Sequence, residues 1–183
     1  MRSPAIDPET SRTYTVLAGL DSSFSGHFTR FNPREQVTIV AFANTIVDTQ
    51  RFTIDSSNPN SPSLMSFRSY IDGLQAGGGT AIYSALEQAY SEAARAQKAD
   101  PASYTSIVLM TDGQNNAGAS ARTLLDDIAS LPSSVRSTRV FTVLFGEANP
   151  TDLQRVADAT GGKVFDARSA PLADVFKEIR GYQ

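Results

Sequence analysis

The chain is expected to fold as an α/β domain: a doubly wound, mostly parallel sheet with helices on both faces. Three observations lead there. Residues 37–42, 107–110 and 140–145 are near-continuous apolar runs rather than alternating ones, the pattern of strands covered on both faces. Between and beyond them lie helix-length segments with apolar residues at helical spacing, so the order of elements is that of a sheet wound with helices. The length of 183 residues suits one domain with a sizeable core.

The elements follow in order. Asp7-Pro-Glu9 reads as a helix start, with Asp as N-cap, Pro in the first helical position and Glu in the first turn. The helix it opens is expected to reach Leu20 and to bury Tyr14, Leu17 and Leu20. Asp21-Ser-Ser-Phe-Ser-Gly26 follows as a loop, and residues 37–42 as a strand. Gln50-Arg-Phe-Thr-Ile54 is more polar and suits a sheet edge. Asn58-Pro-Asn-Ser-Pro62 is a turn into a helix whose inward residues are Leu64, Phe67, Ile71 and Leu74. Residues 81–98, rich in alanine, form a second helix stopped by Asp100-Pro101. Then come a strand from Thr105, a helix over 121–131 closed by Pro132, and a strand over 140–145. Thr151 caps a helix containing Leu153, Val156 and Ala157, ended by Gly161-Gly162. Residues 163–166 are the last strand and 172–180 the last helix. A doubly wound sheet normally opens with its central strand, whereas this order opens with a helix.

Composition excludes several classes. A formal net charge of −3 gives no electrostatic footprint for nucleic acid or an anionic membrane. With no cysteine there are no disulfides, thiolate metal sites or cysteine nucleophiles. No apolar run approaches the roughly 18 residues of a membrane helix, so membrane insertion is not expected. The first residues lack the apolar core of a signal peptide.

The chemistry concentrates in two places. Thr105-Ser-Ile-Val-Leu-Met-Thr-Asp-Gly113 is a buried strand ending on a carboxylate and a glycine, where open α/β sheets place ligand sites. Gly77-Gly-Gly-Thr-Ala-Ile-Tyr83 brings a hydroxyl and three glycines to the start of another helix. Asp112 and Thr80 together have the character of two arms of a divalent-cation site. Alone, Asp112 is equally a strand-end turn residue, and Thr80 equally an N-cap for the following helix. The glycines lack the Lys-Ser/Thr of a phosphate loop. His27, the only histidine, suits a surface or packing role, as do Phe24, Phe28 and Phe31. Asn115 and Asn116 are expected to shape the loop after Asp112.

These segments resemble the von Willebrand factor type A domain. The resemblance rests on Val37-Thr-Ile-Val-Ala-Phe42, Gly77-Gly-Gly-Thr-Ala-Ile-Tyr83, Ile107-Val-Leu-Met-Thr-Asp-Gly113 and Val140-Phe-Thr-Val-Leu-Phe-Gly146, which keep the family's order and spacing across nearly the whole chain. Phe165-Asp-Ala-Arg-Ser and the ending Phe176-Lys-Glu-Ile-Arg-Gly-Tyr-Gln183 are similar to the C-terminal module of exported actinobacterial proteins that join a solute-binding domain to such a module. The family resemblance implies a protein–protein interaction module, not an enzyme, and a site for Mg²⁺ or a similar cation (Mn²⁺ or Ca²⁺) that a partner's acidic side chain completes. Its arms are Asp-x-Ser-x-Ser after the opening strand, a threonine matched by Thr80, and an aspartate before glycine matched by Asp112.

Asp21-Ser-Ser-Phe-Ser25 has the spacing of the first arm. If residues 14–20 were the opening strand, however, only 26–36 would remain for a parallel crossover, which needs a dozen or more residues. The expectation is therefore that Met1 falls just behind the first arm, so that the chain is one domain truncated at its amino end. The opening central strand and the first arm would then be missing, cation binding weak or absent, and the neighbouring edges open to homodimerisation. Two other classes stay open: a metal-assisted hydrolase, for which Asp21 or Asp48 would have to supply a second carboxylate, and an assembly domain with a vestigial site.

Overall fold

The computed structural model describes residues 13–18, 35–56, 58, 60–75, 77–112, 114–145, 150–167, 175–176 and 178–179. The strands are β1 (Thr13–Ala18), β2 (Glu35–Phe42), β3 (Ile46–Ile54), β4 (Tyr104–Thr111), β5 (Arg139–Leu144) and β6 (Lys163–Asp166). The helices are α1 (Pro62–Asp72), α2 (Ile82–Ala99), α3 (Ala121–Ser130), α4 (Ser133–Arg136) and α5 (Pro150–Thr160). The strands form one sheet in the order β3-β2-β1-β4-β5-β6. Every pairing is parallel except that of the edge strand β3. The α/β fold class is the one expected.

The amino end differs from expectation. Residues 13–18 form a strand and not a helix, and that strand is the central one, paired with β2 on one side and β4 on the other. The opening strand is therefore present. Thr13-Tyr-Thr-Val-Leu-Ala18 carries two threonines, a tyrosine and a valine, residues that favour the extended backbone. The helix-start pattern at Asp7-Pro-Glu9 lies outside the described residues. The crossover count also began too late. The strand ends at Ala18, so residues 19–34 connect it to β2, long enough for a parallel crossover. The open edges expected beside a missing centre are closed by β1, which leaves β3 and β6 at the borders of the sheet.

Alternation along the strands divides the core into two layers. Val40 of β2, Ile107 and Leu109 of β4, and Val140 and Leu144 of β5 face the side covered by α2, α3, α4 and α5. Val37, Ile39, Val108, Met110, Phe141 and Val143 face the other side, covered by α1 and by the helical residues Val175 and Ile179. Of the four inward residues expected in α1, Leu64, Phe67 and Ile71 are buried, while Leu74 lies beyond the helix and is half-buried. Ser61 caps this helix by accepting from Leu64 N at 3.4 Å. Helix α2 buries Ala85, Ala89, Ala93 and Ala96, and the first two pack in the same core cluster as the sheet residues Val40, Ile107 and Leu109. Thr151 stands inside α5, which begins at Pro150, rather than capping it.

Two carboxylates are buried among the described residues, those of Glu35 and Glu92. Glu92 of α2, 5% exposed, accepts both forks of the Arg51 guanidinium from β3, at 2.7 and 2.6 Å, and a third bond from Arg95 at 3.0 Å. Those bonds, led by Arg51, hold its carboxyl below the usual range although burial alone would raise it. The edge strand is thereby tied to the helix behind it.

Candidate metal centre

Strands β1, β2 and β4 run parallel, so their carboxyl ends open on one side of the sheet. Asp112 follows the last residue of β4 and is exposed. Across the gap, the loop before α2 carries Gly77, Gly78, Gly79 and Thr80, with Thr80 half-buried. Thr80 is not the N-cap: that position is Ala81, and no side chain caps the helix. The reading of Thr80 as a helix cap therefore does not hold, and its hydroxyl is not engaged in capping.

Three asparagines hold these loops together. Thr80 N donates to Asn116 Oδ1 at 2.6 Å, and Asn116 N donates back to Thr80 O at 3.0 Å. Gly79 N donates to Asn44 Oδ1 at 2.6 Å, and Ala81 N to Ala43 O at 2.8 Å. Tyr83 N donates to Asn115 Oδ1 at 3.4 Å, while Asn115 Nδ2 donates to Ala119 O at 3.1 Å. Ala119 N in turn donates to Ser84 Oγ at 3.0 Å. The expectation for Asn115 and Asn116 holds: both shape the loop after Asp112. Asn44 went unnoticed, because an asparagine after a strand reads only as a turn residue. It sits in the turn from β2 into β3, beside a bulge in which Val47 of β3 is the extra residue. Bulges of this kind commonly re-aim the chain beside functional sites.

Two glycines leave room for this arrangement. At Gly79 a Cβ would overlap Asn44 Oδ1 and lie 2.7 Å from Asn116 Oδ1. Gly118 takes φ +71°, in the left-handed region, and a Cβ there would stand 2.5 Å from Ser84 Oγ.

Thr80 and Asp112 offer the oxygen donors that a hard divalent cation takes. The Asp112 carboxylate is exposed and has no hydrogen-bond or ion-pair partner among the described residues. By the chemistry of their donors the two residues suit such a cation. Among the described residues no cluster of three His, Cys, Asp or Glu side chains is placed to hold a metal. Asp21, Ser23 and Ser25 lie outside the described residues, as do His27, Phe24, Phe28 and Phe31. Asp48 is otherwise engaged: its carboxylate accepts from Tyr70 Oη at 3.0 Å, from Gln50 Nε2 at 3.1 Å and from Thr49 N at 2.7 Å. The Gln50 bond leads in lowering its pKa. Burial, with Asp48 beside it, pushes the Tyr70 hydroxyl up to about 12.

Asp112 thus stands at the carboxyl end of a parallel-sheet strand, and the loop of Thr80 is hydrogen-bonded to the loop that follows it. The family profile described as "von Willebrand factor type A domain" matches residues 20–165, and the chain belongs to that family. Its members are in general protein-interaction modules, many carrying a metal-ion-dependent adhesion site. No curated protein matches the chain. Among solved structures it is similar to a von Willebrand factor type A protein from Catenulispora acidiphila, at 20% identity and TM-score 0.66 over 94% of this chain and 42% of that one. It is also similar to proximal thread matrix protein 1 from the mussel byssus, in a form with a zinc-occupied MIDAS motif, at 17% identity and TM-score 0.61, covering 94% of this chain and 45% of that one. A third is the ArnB paralog VWA2 from Sulfolobus acidocaldarius, at 16% identity and TM-score 0.55, over 85% of this chain and 40% of that one. These likenesses establish the fold. The chain spans less than half the length of each of these proteins.

Proposed function

We propose that this chain is a cation-dependent protein-interaction module. In this reading Asp21, Ser23 and Ser25 supply the first arm of the site, Thr80 the second and Asp112 the third. The observation that carries it is the register of β1 on β4. Ala18 pairs with Leu109, and Asp21 and Asp112 each follow their member of that pair by three residues. Two parallel strands leaving a common register reach carboxylates after the same number of steps. The objection to Asp21-Ser-Ser-Phe-Ser25 rested on a crossover that was too short, and with residues 19–34 as the connection that objection lapses. Two carboxylates and three hydroxyls suit Mg²⁺, which prefers oxygen ligands in near-octahedral geometry and keeps part of its water shell. A carboxylate from a partner protein would replace one of those waters.

Thermal unfolding with and without millimolar Mg²⁺ tests this, repeated on Asp112→Ala and Asp21→Ala. A ligand that binds only the folded state stabilises it by about 2.7 kcal/mol at a hundredfold excess over its dissociation constant. The expected outcome is a raised midpoint in the parent chain and none in either variant. A parent chain indifferent to Mg²⁺ and Mn²⁺ would sink the reading. A shift kept by Asp21→Ala but lost in Asp112→Ala would leave only the two-armed site.

A further inference from the structure

Building on the cation site proposed above, we infer that Asn44 and Asn116 are positioning residues that set the distance between its second and third arms before any cation arrives. Asn116 stands four residues after Asp112, on the same loop. It grips Thr80 with a reciprocal pair of bonds, side chain to amide and amide to carbonyl. Asn44 grips the preceding amide, that of Gly79, from the end of β2. Consecutive amides of one loop are thus held by side chains from two other loops, with Gly79 the only residue small enough to lie between both oxygens.

The energetics separate positioning from mere structure. Both asparagine bonds are exposed, so water would satisfy those amides if the side chains were removed, and the fold needs neither bond strongly. What water does not do is fix where the loop sits. A threonine hydroxyl free to wander binds a cation only after its loop has been ordered, and that entropy comes out of the affinity. Outer-shell groups that orient metal ligands typically matter by about 10–100-fold in affinity.

The test is calorimetric titration of Mg²⁺ into the whole chain and into Asn44→Ala, Asn116→Ala, Asn116→Asp, Gly79→Ala and Asp112→Ala, with the cation-free melting midpoint of each. Affinity is expected to fall about 10–100-fold in Asn44→Ala, Asn116→Ala and Gly79→Ala. The cation-free midpoints of the two asparagine variants should stay within about 2–4 °C of the parent. Asn116→Asp, which keeps the accepting oxygen, should hold its affinity. Asparagine variants that bind Mg²⁺ as the parent does, while Asp112→Ala does not, would overturn the positioning role and leave the cation site standing. Failure of both to fold would overturn it too, making the clasp a structural element. A parent chain that binds no Mg²⁺ would remove the site itself.

Discussion

Removal of Glu92 should be felt by the fold. Glu92 is a buried carboxylate with three charged hydrogen bonds, and Arg51 keeps its folded pKa below the ordinary 4.5. A depressed acid contributes stability that is fully present above the unfolded value. That contribution is lost as pH falls from there through the folded value. Unfolding in urea across the range from pH 7 to below pH 4 should therefore show a decline that Glu92→Gln flattens. At neutral pH the substitution should cost about 1–3 kcal/mol, less than a fully buried pair because Arg51 is 48% exposed. The residues of the cation site were unevenly legible from sequence. Asp112 and Thr80 could be picked out because each sits at the junction of an apolar run and a glycine turn. Asn44 could not: its bond to Gly79 spans 35 residues, and nothing local distinguishes it from any turn asparagine.

Among the elements, those with strong periodicity matched their expected bounds within one or two residues: β4, β5, β6, α2 and α3. Helix α4, four residues long, is shorter than any helical repeat can announce. The edge strand β3 extends four residues before the polar stretch that marked it, because antiparallel pairing with β2 and not hydrophobicity sets its length. β1 was misread for a physical reason. Six residues of mixed polarity carry too little periodicity to outweigh a helix-start pattern a few positions upstream, and its place at the centre of the sheet depends on partners far along the chain. Val16→Pro tests that assignment. Proline removes an amide from a strand paired on both sides, where a sheet tolerates it least. The variant should lose cooperative unfolding as followed by circular dichroism. A variant that unfolds as sharply as the parent would contradict a central β1.

At the scale of the whole molecule, two layers of helices cover one sheet, and β1 is the strand that joins its two halves. Deleting residues 1–18 would open the facing edges of β2 and β4 together, a template for pairing with another chain. The shortened chain is expected to elute from size-exclusion chromatography as a dimer or larger species, whereas the intact one elutes smaller. Equal elution of both would show that the halves of the sheet close without β1. The fold class was legible at this scale because apolar runs and helical faces alternate along nearly the whole sequence. The place of β1 at the centre was not, since it turns on a pairing between residues 13–18 and 104–109.

That pairing also sets a timetable for birth. Thr13 to Ala18 is the first of the described strands to leave the ribosome, yet its second neighbour is complete only when Leu109 has been added. At roughly 5–20 residues per second the wait is on the order of 5–20 s. Through that interval the strand destined for the middle of the sheet has β2 on one flank at most. The polar threonines spaced along it keep the waiting segment wettable, and the sheet closes around its centre only once β4 has been made.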